Sequence, residues 1–99
     1  MKFTRLNKPE KTVLVIEGVL DALTAPEIRP TVDALVEERP TLIEVDLSSL
    51  RVIDSSGVGV VVSLYKRCKE FGGSVRVTGL ANQPLAIFKL LRLDRVFEL

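Results

Sequence analysis

"VIDSSGVGVVVS", residues 52–63, places an acidic residue, two serines and a glycine directly before a run of valines. Small polar residues ahead of an apolar run are typical of the N-terminus of a buried helix. The hydroxyls therefore have two kinds of use. They cap the helix, or they take part in chemistry as a nucleophile or as the acceptor of a phosphate. The neighbouring sequence narrows both the fold and the function.

Strand and helix patterns alternate on both sides of this stretch. Residues 41–47, TLIEVDL, alternate apolar and polar side chains as a strand does. A helix is predicted from residue 56 to about residue 71, where a Gly-Gly pair ends it, and SVRVTG, residues 74–79, predicts the next strand. Such a βαβ unit has parallel strands and a right-handed crossover. Because sites in such sheets lie at the carboxyl ends of strands, the quoted stretch lies on the functional edge.

The apolar spacing of this helix predicts which side packs on the sheet. The predicted inner stripe consists of Val58, Val61, Val62, Tyr65 and Cys68. The predicted outer face consists of Ser63, Lys66, Arg67 and Glu70. The cysteine is therefore predicted to be a packing residue and not a redox centre.

The N-terminal part predicts a hairpin followed by a helix. KFTRL, residues 2–6, and TVLVIEG, residues 12–18, are separated by a turn sequence and predict antiparallel strands. In the helix that follows, Thr24 and Glu27 have the spacing of a capping box. Pro30 predicts a bend or a late start of this helix, because proline has no N–H to donate.

The C-terminal part predicts a third helix and a last strand. NQPLAIFKLLRL, residues 82–93, has Asn82 as its candidate N-cap, and RVFEL, residues 95–99, predicts a short strand. Together the patterns predict one α/β domain over residues 1–99. Its mixed sheet should have four or five strands, with helices mainly on one face.

Composition excludes several classes of protein. The chain is 46% hydrophobic and 27% charged, and no apolar run approaches the ~20 residues that cross a bilayer. The N-terminus has no apolar signal-peptide core, and the single cysteine makes no internal disulfide, so we expect a cytoplasmic protein without direct membrane insertion. The net charge is +1, and its basic residues are not interleaved with aromatic ones, so we expect no nucleic-acid partner.

Missing motifs exclude several kinds of chemistry for the two serines. A serine nucleophile needs a base, and the chain contains no histidine and no G-x-S-x-G elbow. The phosphate-binding motifs G-x-x-x-x-G-K-[ST] and G-x-G-x-x-G are absent, and no ligand cluster for a metal is present. Two interpretations remain. Either Asp54, Ser55 or Ser56 only caps the helix, or a hydroxyl receives a phosphate at a helix N-terminus that tolerates an anion.

Residues 46–80, DLSSLRVIDSSGVGVVVSLYKRCKEFGGSVRVTGL, resemble the STAS domain of the bacterial anti-sigma-factor antagonists. The D-S-S-G motif at a helix start and the later Gly-Gly pair carry the likeness. VIEGVLDALTAPEIR, residues 15–29, resembles the family's G-x-L-D…T element, and residues 80–99 resemble its last helix and short strand. The resemblance therefore covers nearly the whole chain.

The resemblance implies a partner-switching protein that is not an enzyme. In that family the unphosphorylated antagonist binds an anti-sigma factor that is also a GHKL-type serine kinase, and this binding releases the sigma factor. The kinase then phosphorylates the serine after the aspartate, the complex dissociates, and a phosphatase resets the system. Carried over, the phosphorylated residue is Ser55, and no cofactor is needed because the ATP and magnesium belong to the kinase. The implied partner-binding residues are Asp21, Leu23, Thr24, Asp54, Ser55, Ser56 and Gly57.

One position departs from the family pattern. Many members have a charged residue, often Glu, where this chain has Val19. Either the change is tolerated at the surface, or it marks a different partner. The alternative function is therefore a STAS scaffold or docking subunit that is not phosphorylated, in a stressosome-like or lipid-transport complex. Neither the sigma factor, the kinase nor the phosphatase is named by the sequence.

Overall fold

The structure is a computed structural model that describes residues 1–99. Its five strands are β1 (Lys2–Asn7), β2 (Thr12–Leu20), β3 (Leu42–Asp46), β4 (Leu50–Ile53) and β5 (Ser74–Thr78). Its four helices are α1 (Ala25–Glu37), α2 (Ser55–Lys69), α3 (Asn82–Leu90) and α4 (Leu93–Val96). None of these helices is both long enough and apolar enough to span a bilayer.

The sheet is organised on β2, because three other strands pair with it. β1 runs antiparallel to β2, as the predicted hairpin requires. β3 pairs in parallel with the first half of β2, and β4 pairs in parallel with its last residues, after a register shift next to Gly18. β5 lies parallel to β3, so the order is β1-β2-β3-β5 with β4 beside the end of β2. This mixed five-stranded sheet confirms the predicted α/β class.

The core lies between one face of the sheet and the helices. In β3, Ile43 and Val45 are fully buried, while the residues that alternate with them are half-buried. α1 and α2 pack against each other, and α2 also contacts β4 and β5. Twenty buried residues form one core cluster. Val13 is buried outside this cluster, because strand alternation directs it to the opposite face of the sheet.

The buried side of α2 differs in part from the predicted stripe. Of the predicted residues, Val58, Val61 and Cys68 are buried, whereas Val62 and Tyr65 are only half-buried. Val60 and Leu64 are buried although the apolar spacing does not predict it. The reason is the contact with α1, since Val60 lies beside Val32 in the cleft between the two helices. A second helix therefore covers a flank of α2 that lies outside the predicted inner stripe.

Cys68 is a packing residue, as predicted. It is fully buried in the core cluster and forms no disulfide. Burial raises the pKa of its thiol, and the nearby Arg67 cation only partly opposes this effect. Because the thiolate is the reactive form, a raised pKa makes this cysteine a poor nucleophile.

The predicted strand over residues 95–99 is wrong. The chain instead turns at Arg92, where φ is +59°, into the short helix α4. Phe97 follows α4 and is buried, with its ring centroid 5.3 Å from that of Tyr65 and 6.0 Å from that of Phe88. The apolar residues that suggested a strand therefore cover the core and do not pair with a sheet edge.

Helix boundaries also depart from prediction. Asn82 is the first residue of α3 and not its N-cap; Ala81 has that position and makes no side-chain cap bond. α3 ends at Leu90, before the predicted end at residue 93. α1 begins at Ala25 and continues through Pro30, so the predicted late start is wrong. Pro30 and the residue four positions before it are both exposed, so the carbonyl left without a donor is accessible to water.

β4 has no counterpart among the predicted elements. It comprises LRVI and extends only the end of β2. A segment of four residues is too short to show the alternation of apolar and polar side chains that indicates a strand. Its position matters because it leads directly into the N-terminus of α2.

Candidate functional site

Asp54 is the residue that caps α2. Its backbone is extended, and its Oδ1 accepts a hydrogen bond from the Gly57 N–H at 3.0 Å. Its carbonyl accepts from the Val58 N–H at 2.9 Å. Of the three residues that the sequence offered as caps, the carboxylate performs this role. The two serine hydroxyls are therefore not needed to begin the helix.

Ser55 and Ser56 form the first turn of α2. Ser55 is exposed and Ser56 is half-buried, and neither hydroxyl makes a hydrogen bond within the protein. The N–H groups of a first helical turn have no acceptors four residues earlier, and together with the helix dipole they favour an anion. Ser55 thus presents a free hydroxyl to solvent at a place where added negative charge is tolerated.

Gly57 allows α2 to approach the end of β2. A Cβ at this position would lie 2.4 Å from the Leu20 carbonyl oxygen and 2.7 Å from Cγ1 of Ile53. Any side chain here would push the helix away from the sheet. Gly57 is itself buried, so it holds the serines in place by close packing. Its place in a partner-binding surface remains a prediction.

Hydrogen bonds of Asp21 and Thr24 stabilise the turn between β2 and α1. The Asp21 N–H donates to Thr24 Oγ1 at 2.9 Å, and the N–H groups of Leu23 and Thr24 both donate to Asp21 Oδ1 at 3.0 Å. The Thr24 hydroxyl donates to the Val19 carbonyl at 2.9 Å. Thr24 has the N-cap position of α1 but does not cap it, so the predicted capping box with Glu27 is wrong. The hydroxyl is already used by the turn.

This turn holds one large apolar side chain in solvent. Leu23 is 87% exposed, although its backbone N–H is bound to Asp21. Because hydrogen bonds fix the turn, little conformational entropy would be lost if a partner covered this leucine. Val52 adds a second exposed apolar side chain in β4, in register with Val19 of β2.

Asp54 joins the two segments of the site. While its Oδ1 caps α2, its Oδ2 accepts a hydrogen bond from the Ala22 N–H at 3.1 Å. The Asp54 N–H donates to the Leu20 carbonyl at 3.3 Å. The turn at Asp21–Thr24 and the start of α2 are therefore neighbours in the structure, and one carboxylate links them. That they bind a partner together remains a prediction.

Gln83 is a site residue that the sequence patterns do not reveal. Its Oε1 accepts from the Ile53 N–H at 2.9 Å, and its Nε2 donates to the Ile53 carbonyl at 2.9 Å. The side-chain amide thus pairs with β4 as a neighbouring strand would, and fixes the residue that precedes Asp54. No sequence signal points to it, because the spacing of 30 residues between the partners belongs to the tertiary fold.

The chain has no histidine, and the structure contains no group of three or more His, Cys, Asp or Glu side chains able to hold a metal ion. What the arrangement offers is a rigid surface with a free serine, an exposed leucine and two acidic residues engaged in backbone hydrogen bonds.

Solved structures share this fold. A putative anti-sigma factor antagonist from Thermotoga maritima superposes with a TM-score of 0.85 over 95% of this chain and 81% of that chain, at 23% identity. The anti-sigma factor antagonist SpoIIAA in its unphosphorylated form gives a TM-score of 0.74 over 96% of this chain and 97% of that one, at 21% identity. The Bacillus protein SpoIIAA in its phosphorylated form superposes with a TM-score of 0.77 over 95% of this chain and 86% of that chain, at 22% identity.

A family model described as "Mlab, STAS domain" matches residues 4–99, and the chain belongs to the STAS-domain family. The anti-sigma F factor antagonist of Paenibacillus polymyxa is 30% identical over 88% of this chain and 73% of that protein. The anti-sigma-B factor antagonist of Bacillus subtilis is 29% identical over 85% of this chain and 76% of that protein. Both relatives are named as antagonists of anti-sigma factors.

Proposed function

We propose that the protein is an anti-sigma factor antagonist whose binding to an anti-sigma factor with serine kinase activity is switched off by phosphorylation of Ser55. The observation that carries the proposal is the free, exposed hydroxyl of Ser55 beside a helix cap already made by Asp54. The names of the curated relatives support it. That SpoIIAA has been solved in both unphosphorylated and phosphorylated forms supports it further.

The proposed partner surface surrounds Ser55. Leu23 supplies the exposed apolar contact, while Asp21 and Thr24 keep the turn rigid. Asp54 aligns this turn with the start of α2, and Ser56 and Gly57 complete the first helical turn. A kinase docked on this surface reaches the Ser55 hydroxyl with the γ-phosphate of its own ATP, so the antagonist needs no cofactor. On this proposal the reaction takes place in the cytoplasm, with a phosphatase that restores the hydroxyl.

The switch is electrostatic. A phosphate adds about 1.5 to 2 negative charges at neutral pH. Asp21 and Asp54 already contribute two carboxylates to the same surface, so the new charge is added to a site that is acidic before modification. The helix N-terminus stabilises the phosphate locally, and the fold therefore survives while the partner is repelled.

Site mapping tests this proposal. The protein is incubated with ATP, magnesium and an anti-sigma factor kinase that binds it, and phosphate is located by mass spectrometry. We expect one modified residue, Ser55, and no modification of Ser55→Ala. Ser56→Ala is the matched control and should be modified normally. Phosphate on Ser48 or Ser63, or on no residue at all, would overturn the proposal.

The second candidate function is a docking subunit of a larger complex, stressosome-like or lipid-transporting, that uses the same surface without phosphorylation. The description "Mlab" of the family model is the observation that favours it. The two functions differ in their partner. Genes for a lipid transporter beside this one, in place of a serine kinase and a sigma factor, would favour the second.

A further inference from the structure

A groove of about 300 Å³ lies at the opposite end of α2 from Ser55. Its walls are Leu42 at the start of β3, Tyr65 and Lys69 of α2, residues 73–76 at the start of β5, and residues 96–98 at the end of α4. The two groove residues of α2 lie ten and fourteen residues beyond Ser55, which is about 15 and 20 Å along the helix. The groove is therefore distinct from the proposed switch, and both surfaces are available at once.

The groove includes the start of β5, a strand with one free edge. Ser74, Val75 and Arg76 line it together with Leu42, which pairs with Ser74 from β3. β5 is the terminal strand and pairs only with β3. The Ser74 N–H donates to the Thr41 carbonyl and the Thr78 carbonyl accepts from Leu47, both at 2.9 Å. By alternation, the N–H and C=O groups of Val75 and Val77 point away from β3 and have no strand partner.

The side chains beside this edge combine apolar surface with unpaired positive charge. Phe97 and Val75 supply apolar walls. Lys69 lies 5.1 Å from the centre of the Tyr65 ring and donates to its hydroxyl at 2.8 Å, and it forms no salt bridge. Arg76 also forms no salt bridge.

Acidic groups do not neutralise these two cations. Glu44, which faces Arg76 across the strands, is bound instead to Lys11 at 2.7 Å. Glu98 is the only acidic residue of the groove wall. The groove therefore presents two cations that lack an anionic partner within the protein.

We infer that this groove is a docking site for an extended acidic peptide segment of a partner protein, which adds to the edge of β5 as a further strand. Backbone hydrogen bonds to Val75 and Val77 supply the pairing, as in other proteins that bind peptides by strand addition. An acidic side chain of the peptide meets Arg76 on one face of the sheet, and the neighbouring apolar side chain packs on Phe97 on the other face, where Lys69 lies. The inference does not depend on phosphorylation of Ser55.

Selection from a displayed library of random peptides tests the inference. Enriched peptides should alternate apolar residues with Asp or Glu, and a synthetic copy should shift the amide NMR signals of Val75 and Val77 without shifting that of Ser55. Val75→Pro removes an N–H that the β3 ladder does not use, so it should weaken peptide binding roughly tenfold or more while the sheet remains.

The doubly substituted Lys69→Glu, Arg76→Glu protein should lose at least as much affinity and needs no change in the backbone. Lys66→Glu, an exposed reversal on the same helix outside the groove, is the matched control and should bind normally. Failure to enrich any peptide, enrichment without acidic residues, or binding unchanged by the double substitution would overturn the inference. Equal signal shifts with sodium acetate alone would make the groove a small-anion site instead.

Discussion

Asp54 explains why both serines are free. One carboxylate oxygen caps α2 and the other holds the turn before α1, so a single side chain starts the helix and assembles the surface around it. In a chain without this aspartate, a serine hydroxyl would be needed as the cap and would be withdrawn from solvent. The order Asp-Ser-Ser-Gly thus separates the structural acceptor from the residue proposed to be modified.

Asp54→Ala should lower the free energy of unfolding by about 1 to 2 kcal/mol, because two backbone N–H groups lose their acceptor. Urea denaturation measures the difference. Ser55→Ala and Ser56→Ala are the controls and should stay within about 0.5 kcal/mol of the unmodified protein, since neither hydroxyl is bonded. A loss for Ser55→Ala as large as that for Asp54→Ala would show that the cap is assigned to the wrong residue.

Replacing each of two glycines in α2 by alanine should change the stability of the protein in opposite directions. Gly57→Ala should destabilise the protein by about 1 to 3 kcal/mol, because the new methyl group meets the Leu20 carbonyl. Gly59 is exposed, and a methyl group added there would meet no atom within 4 Å, so Gly59→Ala should stabilise the helix by roughly 0.5 to 1 kcal/mol. Thermal unfolding followed by circular dichroism compares them, and equal effects of the two substitutions would contradict the packing described for Gly57.

At the level of elements, β4 and α3 depend on each other through Gln83. The side-chain amide completes the outer edge of a four-residue strand that has only β2 as its other partner. Because Ile53 directly precedes Asp54, the position of α3 is transmitted to the start of α2. A short edge strand therefore becomes a rigid support for the proposed phosphorylation site.

Gln83→Met keeps the length of the side chain but removes both hydrogen bonds. The Ile53 amide should then exchange with deuterium roughly tenfold faster, since one net hydrogen bond is worth about 1 kcal/mol or slightly more. Exchange is read by NMR, with the Val15 amide in the middle of β2 as the internal reference that should not change. If Ile53 exchanged at its original rate in this variant, the amide of Gln83 would not be what protects it.

Elements with a clear apolar period were predictable from the sequence, and the two four-residue elements were not. β2, β3, β5, α1 and α2 carry enough alternation or helical spacing to be located from sequence. β4 and α4 have four residues each, and their conformations follow from pairing with β2 and from burial of Phe97. The site motif was predictable as a helix start, but the bonds from Asp54 to Ala22 and from Gln83 to Ile53 join segments about thirty residues apart.

In the whole molecule, the core and the proposed switch are separate. The core lies between the helices and one face of the sheet, whereas Ser55 is exposed at the edge where β2 and β4 end. Negative charge at this edge changes the surface without entering the core. The acidic turn and the free serine lie at one end of α2, and the basic groove lies at the other, so the two surfaces have opposite charge and suit different partners.

The most direct test of the central claim is the dissociation constant between this protein and its cognate serine kinase, measured by calorimetry before and after phosphorylation of Ser55. We expect the unmodified protein and Ser55→Ala to bind alike, and the phosphorylated protein and Ser55→Asp to bind roughly tenfold more weakly or worse. All four should melt within about 4 °C of one another, because the change is confined to the surface. Phosphorylated protein that binds the kinase as tightly as Ser55→Ala would contradict the switch.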